Sequence, residues 1–216
     1  MRPDWIVLCG DILPDYSMIP GQQSRLEAQR GFWTTYRYTF IRDSARTTLV
    51  RGNHEIEGFE DPDLCRLTDG LDGHVVRLEG IPAEFGWWGW SREWDDDHLG
   101  RELHDQLRDA ARPRIYLSHV PPYGCLDTSA GGEHIGHRPL ADHLAERGWP
   151  NSLVLCGHVH ADFGWIRLGQ TVIVNAACGY AVIDWSPKGA NVLNVARIQA
   201  SSRMAHRWCP NPCQTE

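Results

Sequence analysis

Four short apolar segments of this chain each run into a polar loop that carries an aspartate, an asparagine or a histidine. The segments are continuously apolar rather than alternating, which indicates strands buried on both faces of a sheet. Because parallel strands end at one edge of an α/β sheet, the four loops are expected to converge there. The segments and loops are Trp5–Cys9 with Gly10-Asp11, Thr47–Val50 with Gly52-Asn53-His54-Glu55, Ile115–Leu117 with Ser118-His119, and Leu153–Cys156 with Gly157-His158-Val159-His160.

The rest of the chain supplies helices and further strands of the same α/β class. Residue patterns predict helices over 22–45, 99–111 and 139–147, and strands within 74–90 and over 171–174 and 192–198. At 216 residues, the chain is long enough for one core and too short for two ordinary domains. We expect one domain over residues 1–200 and a C-terminal tail of low order over 201–216.

Charge and cysteine content exclude several classes of protein. The net charge of −7 disfavours broad capture of a nucleic-acid backbone, which needs a basic face. No segment approaches the roughly twenty apolar residues of a membrane span, and the apolar run at 5–9 is too short for a signal peptide. The seven cysteines resemble no compact disulfide framework, so we expect reduced thiols and a cytoplasmic location.

Three other segments permit a functional interpretation but have a simpler structural one. The FGWWGW segment at 85–90 could stack a nucleobase, although packing in the core is the simpler role. The run Asp95-Asp96-Asp97 is typical of a capped, solvated helix start. Cys209 and Cys213 lack a second pair that would complete a tetrahedral metal site.

The four polar loops, in their order, resemble the motifs of the calcineurin-like metallophosphoesterases. In that family the motifs run D-x-H, G-D, G-N-H-E/D, a lone His and G-H-x-H. The last four match residues 9–11, 52–55, 119 and 157–160. The resemblance implies a four-layer α/β/β/α sandwich with two mixed sheets. Residues 118–160 look like the branch that includes the brain-expressed cyclic-nucleotide phosphodiesterase relatives.

The resemblance also implies a site for two divalent metal ions. By that resemblance Asp11 bridges the two ions, Asn53, His119 and His158 complete one metal site, and His160 serves the other. Oxygen and nitrogen ligands without a thiolate suit Mn²⁺, with Fe or Zn²⁺ as alternatives. Two such ions would clamp a phosphate ester and supply hydroxide for in-line attack.

His54 resembles the catalytic histidine of the family, which assists the leaving group rather than binding metal. Such an imidazole needs a carboxylate on its second nitrogen to orient it. Asp15 is the first candidate for that carboxylate and Glu55 is the second.

The sequence departs from the family because no D-x-H motif precedes Gly10-Asp11. The first strand is therefore expected to be missing, and the first metal would keep only Asp11 and His160 and bind weakly. Three explanations remain open: an N-terminally incomplete product, a rearranged site, and a one-metal or inactive relative that acts as a protein-interaction scaffold. In a rearranged site, substitute ligands would come from Asp4, His134 or His137.

The segment after Gly10-Asp11 narrows the substrate that the resemblance implies. The protein phosphatase branch continues its G-D motif into a phosphate-binding Asp-Arg-Gly, whereas this chain continues with ILPDYS. We therefore expect hydrolysis of a small phosphodiester or monoester, with nucleotides among the candidates, rather than of a phosphoprotein.

Overall fold

The structure is a computed structural model that describes residues 3–13, 25–41, 46–55, 76–77, 84–88, 114–186 and 188–198. In this part of the chain it contains ten strands and two helices. The strands are β1 (Trp5–Leu8), β2 (Arg46–Leu49), β3 (Val76–Arg77), β4 (Glu84–Trp88), β5 (Arg114–Ser118), β6 (Ser152–Cys156), β7 (Gly164–Leu168), β8 (Thr171–Asn175), β9 (Gly179–Ser186) and β10 (Gly189–Arg197). The helices are α1 (Arg25–Ile41) and α2 (Arg138–Glu146).

The largest sheet has six strands in the order β3-β4-β5-β6-β8-β7. Strands β4, β5, β6 and β8 are parallel to one another, whereas β3 and β7 run antiparallel at the two edges. Leu117 of β5 lies opposite Leu155 of β6, and Gly157 N–H donates to the His119 carbonyl at 3.0 Å. The loops that follow β5 and β6 therefore leave the sheet side by side.

Two smaller strand pairs pack on one face of the six-stranded sheet. β1 pairs with β2 in parallel, and β9 pairs with β10 as an antiparallel hairpin. Side chains of both pairs join one core cluster with the inner strands of the large sheet. Its buried members are Val50, Ile115, Leu117, Leu153, Val172, Val174 and Ala190, and Trp5, Val7, Ile183 and Trp185 are among the side chains packed against them.

The helices form the outer layers. Phe32 and Trp33 of α1 pack on Leu13 and Leu49, on the side of β1 and β2 away from the large sheet. On the opposite side of the molecule, α2 packs against the other face of the large sheet. The cluster there contains Leu140 and Leu144 of α2 with Tyr116, Val154 and Ile173 of the sheet.

The ends of α2 follow from its sequence. Proline stands in its first turn, where a missing N–H costs nothing because that donor has no partner within the helix. Gly148, just after the helix, has φ of +65°, the left-handed conformation that commonly ends a helix.

The predicted fold class is confirmed, because helices and mixed sheets form four layers in the order α/β/β/α. The strands that precede the four polar loops are present, and α1 and α2 lie within or close to the predicted helices. Strands β7 and β9 were not predicted. The predicted helix over 99–111, the aspartates at 95–97, Cys209, Cys213 and the tail over 201–216 lie outside the described residues. None of the described helices has the length and apolar character needed to cross a bilayer.

Candidate metal centre

Three ionisable side chains from three polar loops meet at one point. Ligand atoms of Asp11, His119 and His158 all lie within 4.8 Å of one another. These residues follow β1, β5 and β6, so the convergence arises from the adjacent ends of strands in the two sheet layers. Asn53, which follows β2, adds an amide oxygen 3.0 Å from His119 Nε2.

The His119 imidazole lies at the centre of this group. It is 1% exposed, and its Nδ1 donates to the Cys9 carbonyl oxygen at 2.7 Å. That contact directs Nε2 toward the other three side chains. Nε2 is 3.0 Å from His158 Nδ1 and 3.4 Å from Asp11 Oδ2. Backbone orientation of one ring nitrogen, with the other aimed at a ligand, is typical of metal-binding histidines.

Burial and the neighbouring charges shift the pKa values of the three ionisable ligands in different directions. Burial raises the pKa of Asp11, but the hydrogen bond and charge of His119 and the charge of His54 outweigh it and lower this pKa to about 2. Burial lowers the pKa of His119, but the Asp11 carboxylate and the Cys9 carbonyl outweigh it and raise this pKa. Burial and the neighbouring His119 charge lower the pKa of His158 to about 4. Without metal, the Asp11 carboxylate thus favours the protonated form of His119, whereas burial and the His119 charge favour the neutral form of His158.

Two of the converging residues adopt backbone conformations that L residues rarely use. The φ angle is +55° at Asp11 and +65° at His158. A non-glycine residue in this left-handed region costs on the order of 1 kcal/mol or more and persists only where surrounding contacts enforce it. The left-handed conformation ends the extended backbone at both residues, whose side chains belong to the converging group.

The loops after β1 and β2 approach so closely that glycine is required on both. A Cβ at Gly10 would lie 2.8 Å from the Gly52 nitrogen, and a Cβ at Gly52 would lie 2.6 Å from the Asp11 nitrogen and 2.6 Å from His119 Cε1. Real Cβ atoms essentially never come this close to backbone atoms. The glycines of the G-D and G-N-H-E motifs therefore bring Asp11 and Asn53 together.

Glu55 fastens these two loops. Its Oε2 accepts hydrogen bonds from the backbone N–H groups of Gly52 at 2.6 Å and Asp11 at 2.9 Å. Its Oε1 accepts from Leu13 N–H at 2.9 Å. Burial and the Asp11 charge raise the pKa of Glu55, against the three N–H donors, which lower it. Both oxygens are thus engaged by the backbone, and Glu55 positions the loops rather than the ring of His54.

His54 lies beside the group on the same loop as Asn53. Its backbone N–H donates to Asp11 Oδ1 at 2.8 Å, and its ring Nε2 is 3.7 Å from Asp11 Oδ2. The buried Gln29 side chain of α1 donates to the His54 carbonyl. Asp15, the predicted orienting carboxylate of His54, lies outside the described residues.

Among the described residues, the group of converging ligand atoms does not include the other predicted or substitute ligands, although the charges of Asp11, His54 and His119 act on His160. His160 is exposed. Burial of its ring nevertheless lowers its pKa, against the Asp11 charge, which raises it. His134 pairs with Asp127, His137 is the residue that caps α2, and Asp4 is an exposed side chain next to β1.

Comparison with known proteins identifies the family. A family model described as calcineurin-like phosphoesterase matches residues 1–162, about three quarters of the chain. The chain belongs to the calcineurin-like phosphoesterase family. Metal-dependent hydrolysis of phosphate esters is the general chemistry of that family. A solved structure with 16% sequence identity has the same fold, with a TM-score of 0.63. The match covers 90% of this chain and 89% of the solved chain. No curated protein matches the sequence significantly.

The converging side chains fit a divalent ion. The distances of 3.0, 3.0 and 3.4 Å from His119 Nε2 to its three neighbours are close to the about 3.3 Å between ligands of a tetrahedral ion with bonds of about 2.0–2.1 Å. Two imidazoles, one carboxylate and one amide oxygen form a mixed donor set without thiolate, which suits Mn²⁺, Fe or Zn²⁺. The geometry thus provides one four-donor site at the edge of the sheets.

Proposed function

We propose that this chain hydrolyses a small phosphodiester or phosphomonoester with the help of a divalent metal held by Asp11, Asn53, His119 and His158. The observation that carries the proposal is the meeting of these four donors from four separate loops. When bound there, the ion would neutralise phosphate charge and supply hydroxide at neutral pH. Family membership supports ester hydrolysis in general, and the substrate and the metal are parts of the proposal.

The chain's own residues would bind and position the substrate. Glu55 and the glycines at 10 and 52 fix the two loops that carry Asp11 and Asn53, so the donors need little reorganisation when a ligand arrives. Asp11 holds the backbone of His54, which keeps that imidazole at the edge of the site. We assign His54 the role of hydrogen-bond donor or proton donor to the leaving-group oxygen, in a position that Asp15 would orient.

We further propose that one metal ion binds tightly and that a second binds weakly. The first ion has four donors, whereas the second would rely on Asp11 and His160, and His160 lies outside the central group. Two protein ligands seldom hold a divalent ion against water. Mn²⁺ is the proposed metal, with Fe or Zn²⁺ as alternatives, because oxygen and nitrogen donors without sulfur suit these ions better than a soft metal.

We propose a small substrate for two reasons. The loop after Asp11 lacks the Asp-Arg-Gly sequence of the protein phosphatase branch, and residues 118–160 resemble the branch of brain-expressed cyclic-nucleotide phosphodiesterase relatives. A cytoplasmic location is part of the same proposal, supported by the thiols of Cys9, Cys125 and Cys156, which form no disulfide among the described residues.

Hydrolysis of bis-p-nitrophenyl phosphate tests the function directly. We expect turnover that requires added Mn²⁺ and is lost in Asp11→Asn. Arg30→Ala is the matched control, because Arg30 is an exposed side chain of α1. If wild-type protein shows no turnover with Mn²⁺, Fe²⁺, Zn²⁺ or Mg²⁺ at high protein concentration, the hydrolase proposal is wrong. The protein-interaction scaffold is then the better interpretation.

A further inference from the structure

Asp127 and His134 form a pair outside the candidate metal centre. Asp127 is 1% exposed, and its Oδ2 accepts hydrogen bonds from the Gly124 and Gly136 N–H groups at 3.0 and 2.9 Å. Its Oδ1 accepts from His134 Nδ1 at 2.7 Å. Burial raises the pKa of Asp127, but His134 and the two N–H groups outweigh it and lower this pKa. An ionised, buried carboxylate thus fixes the orientation of a half-exposed imidazole.

The loop that carries this pair is fastened beside the turn that carries His158. Leu126 O and Val159 O both accept from the same atom, Asn175 Nδ2, at 3.1 and 2.8 Å. They are therefore within two hydrogen-bond lengths of each other. On the other side of Asp127, Thr128 N–H donates to Asp162 Oδ2 at 3.0 Å. The segment that contains Asp127 consequently lies beside the turn that follows His158, and Asp127 holds His134.

Tyr123 and Arg138 extend this rigid surface. The Tyr123 ring centroid is 5.5 Å from that of His134, and the Arg138 guanidinium carbon lies 3.6 Å from the Tyr123 ring centroid. Arg138 is exposed and forms no ion pair with a carboxylate in the described part of the chain. The name rim cluster is used here for Tyr123, His134 and Arg138.

Exposed side chains are normally mobile, and holding a rotamer-rich side chain in one conformation costs up to about 2 kcal/mol of entropy. The rim cluster is nevertheless ordered, through a carboxylate behind His134 and an aromatic ring beneath Arg138. It presents an imidazole nitrogen and a cation that has no carboxylate partner among the described residues, in a chain of net charge −7. Preorganised donors of this kind reduce the entropy lost when an oxyanion binds.

We propose that the rim cluster binds an oxyanion. The favoured oxyanion is a second phosphate group of the substrate, distinct from the phosphate ester that is cleaved. Arg138 donates hydrogen bonds to the oxyanion, and His134 donates from Nε2 when its imidazole is doubly protonated, with Nδ1 held by Asp127 as the positioning residue. The assignment of this phosphate to the substrate rests on the proposed function, because it requires the cleaved phosphate to lie at the metal centre. It makes a small organic bisphosphate the favoured substrate class.

Titration with inorganic phosphate tests the surface without any turnover. The probe is the ring-proton NMR signal of His134 in the Mg²⁺-loaded full chain, assigned by its loss in His134→Ala. We expect a saturable shift in wild type, unchanged in Arg30→Ala, with affinity weakened about tenfold in Arg138→Ala. Arg30→Ala removes one positive charge at a different place on the surface, so it shows whether the effect of Arg138→Ala comes from a local contact or from the change in net charge. A His134 signal that does not move, or that responds equally in Arg138→Ala and wild type, overturns the proposal.

A pair of substrates then tests the role in hydrolysis. Thymidine 5′-(p-nitrophenyl phosphate) and its 3′-phosphate have the same leaving group and differ in one retained phosphate. In Arg138→Ala and His134→Ala, we expect about a tenfold rise in KM for the 3′-phosphate and less than a twofold change for the parent compound. Equal effects on both substrates would contradict specificity at the rim cluster. Failure of wild type to cleave either substrate would instead count against the proposed function, and the phosphate titration would still decide whether the rim binds oxyanions.

Discussion

Replacement of Glu55 by alanine is predicted to destabilise the fold, because this carboxylate joins the two loops that carry Asp11 and Asn53. Its two oxygens accept three backbone hydrogen bonds, from Gly52 at 2.6 Å and from Asp11 and Leu13 at 2.9 Å. Alanine would leave all three N–H groups without their acceptor. A buried donor without a partner costs roughly 1–3 kcal/mol, so the gross loss for three donors is about 3–9 kcal/mol.

Part of that loss is offset, because Glu55 is itself costly to bury. Burial and the Asp11 charge raise the pKa of Glu55, which means that the ionised carboxylate is less favourable in the native state than in the unfolded chain. Removing it relieves this penalty, and we expect a net loss of roughly 3 kcal/mol in the free energy of unfolding. A domain of this kind has a total stability of about 5–15 kcal/mol, so the change is large.

Urea unfolding at pH 7 without metal measures this change from the shift in midpoint at constant slope. Asp142→Ala is the matched control, because it removes one exposed carboxylate from α2 and should change stability by about 0.5 kcal/mol or less. Glu55→Gln should fall between the two, since its amide keeps one acceptor oxygen and presents an N–H₂ group to the remaining donors. A loss below about 1 kcal/mol in Glu55→Ala would refute the reasoning that Glu55 fastens the two loops.

Three further predictions concern the same site. His54→Ala should lower kcat by a factor on the order of 10²–10⁴ while bound metal, measured by elemental analysis, stays as in wild type; loss of the metal would mean that His54 acts as a ligand. Gly52→Ala should abolish metal binding and lower the melting temperature, because its Cβ would collide with Asp11 and His119; an unchanged calorimetric transition would contradict the close approach of the loops. In metal-free protein, the stability contributed by ionised Asp11 is complete above the ordinary aspartate pKa of 3.8 and is lost as pH falls toward its native pKa of about 2. The stability contributed by protonated His119 is complete below the ordinary histidine pKa of 6.5 and is lost as pH rises through its raised native pKa. The loss of unfolding free energy caused by Asp11→Asn should therefore be greatest between about pH 4 and pH 6.5. If the stability difference between wild type and Asp11→Asn instead grows above about pH 8, the pairing of Asp11 with His119 is contradicted.

The sequence predicted those parts of the fold whose signal is local. β1, β5 and β6 are short and mainly apolar, β2 is short and rich in β-branched threonine, and polar loops follow all four, so their positions and the convergence of the loops could be inferred. β7 and β9 lack the continuous apolar run that marked the buried strands, because one face of each is more exposed. Gly164, Arg167 and Asp184 also interrupt their apolar pattern, and edge strands and hairpins tolerate such interruptions.

The site was predictable in its residues but not in its supporting contacts. Motif order pointed to Asp11, Asn53, His119 and His158, and the structure brings these four side chains together. Glu55 was considered only as a partner for the ring of His54, because its bond to Asp11 joins residues 44 positions apart and no local pattern reports such a contact. The Asp127–His134 pair was likewise missed, since nothing in the residue spacing shows that Asp127 is buried.

Counting bound metal tests the central claim most directly. Protein dialysed to equilibrium against Mn²⁺ and analysed by elemental mass spectrometry should hold about one tightly bound ion per chain, and His119→Ala and His158→Ala should each lose it. A wild-type chain that retains no ion, or a His119→Ala variant that retains as much as wild type, would contradict a metal centre at these four side chains.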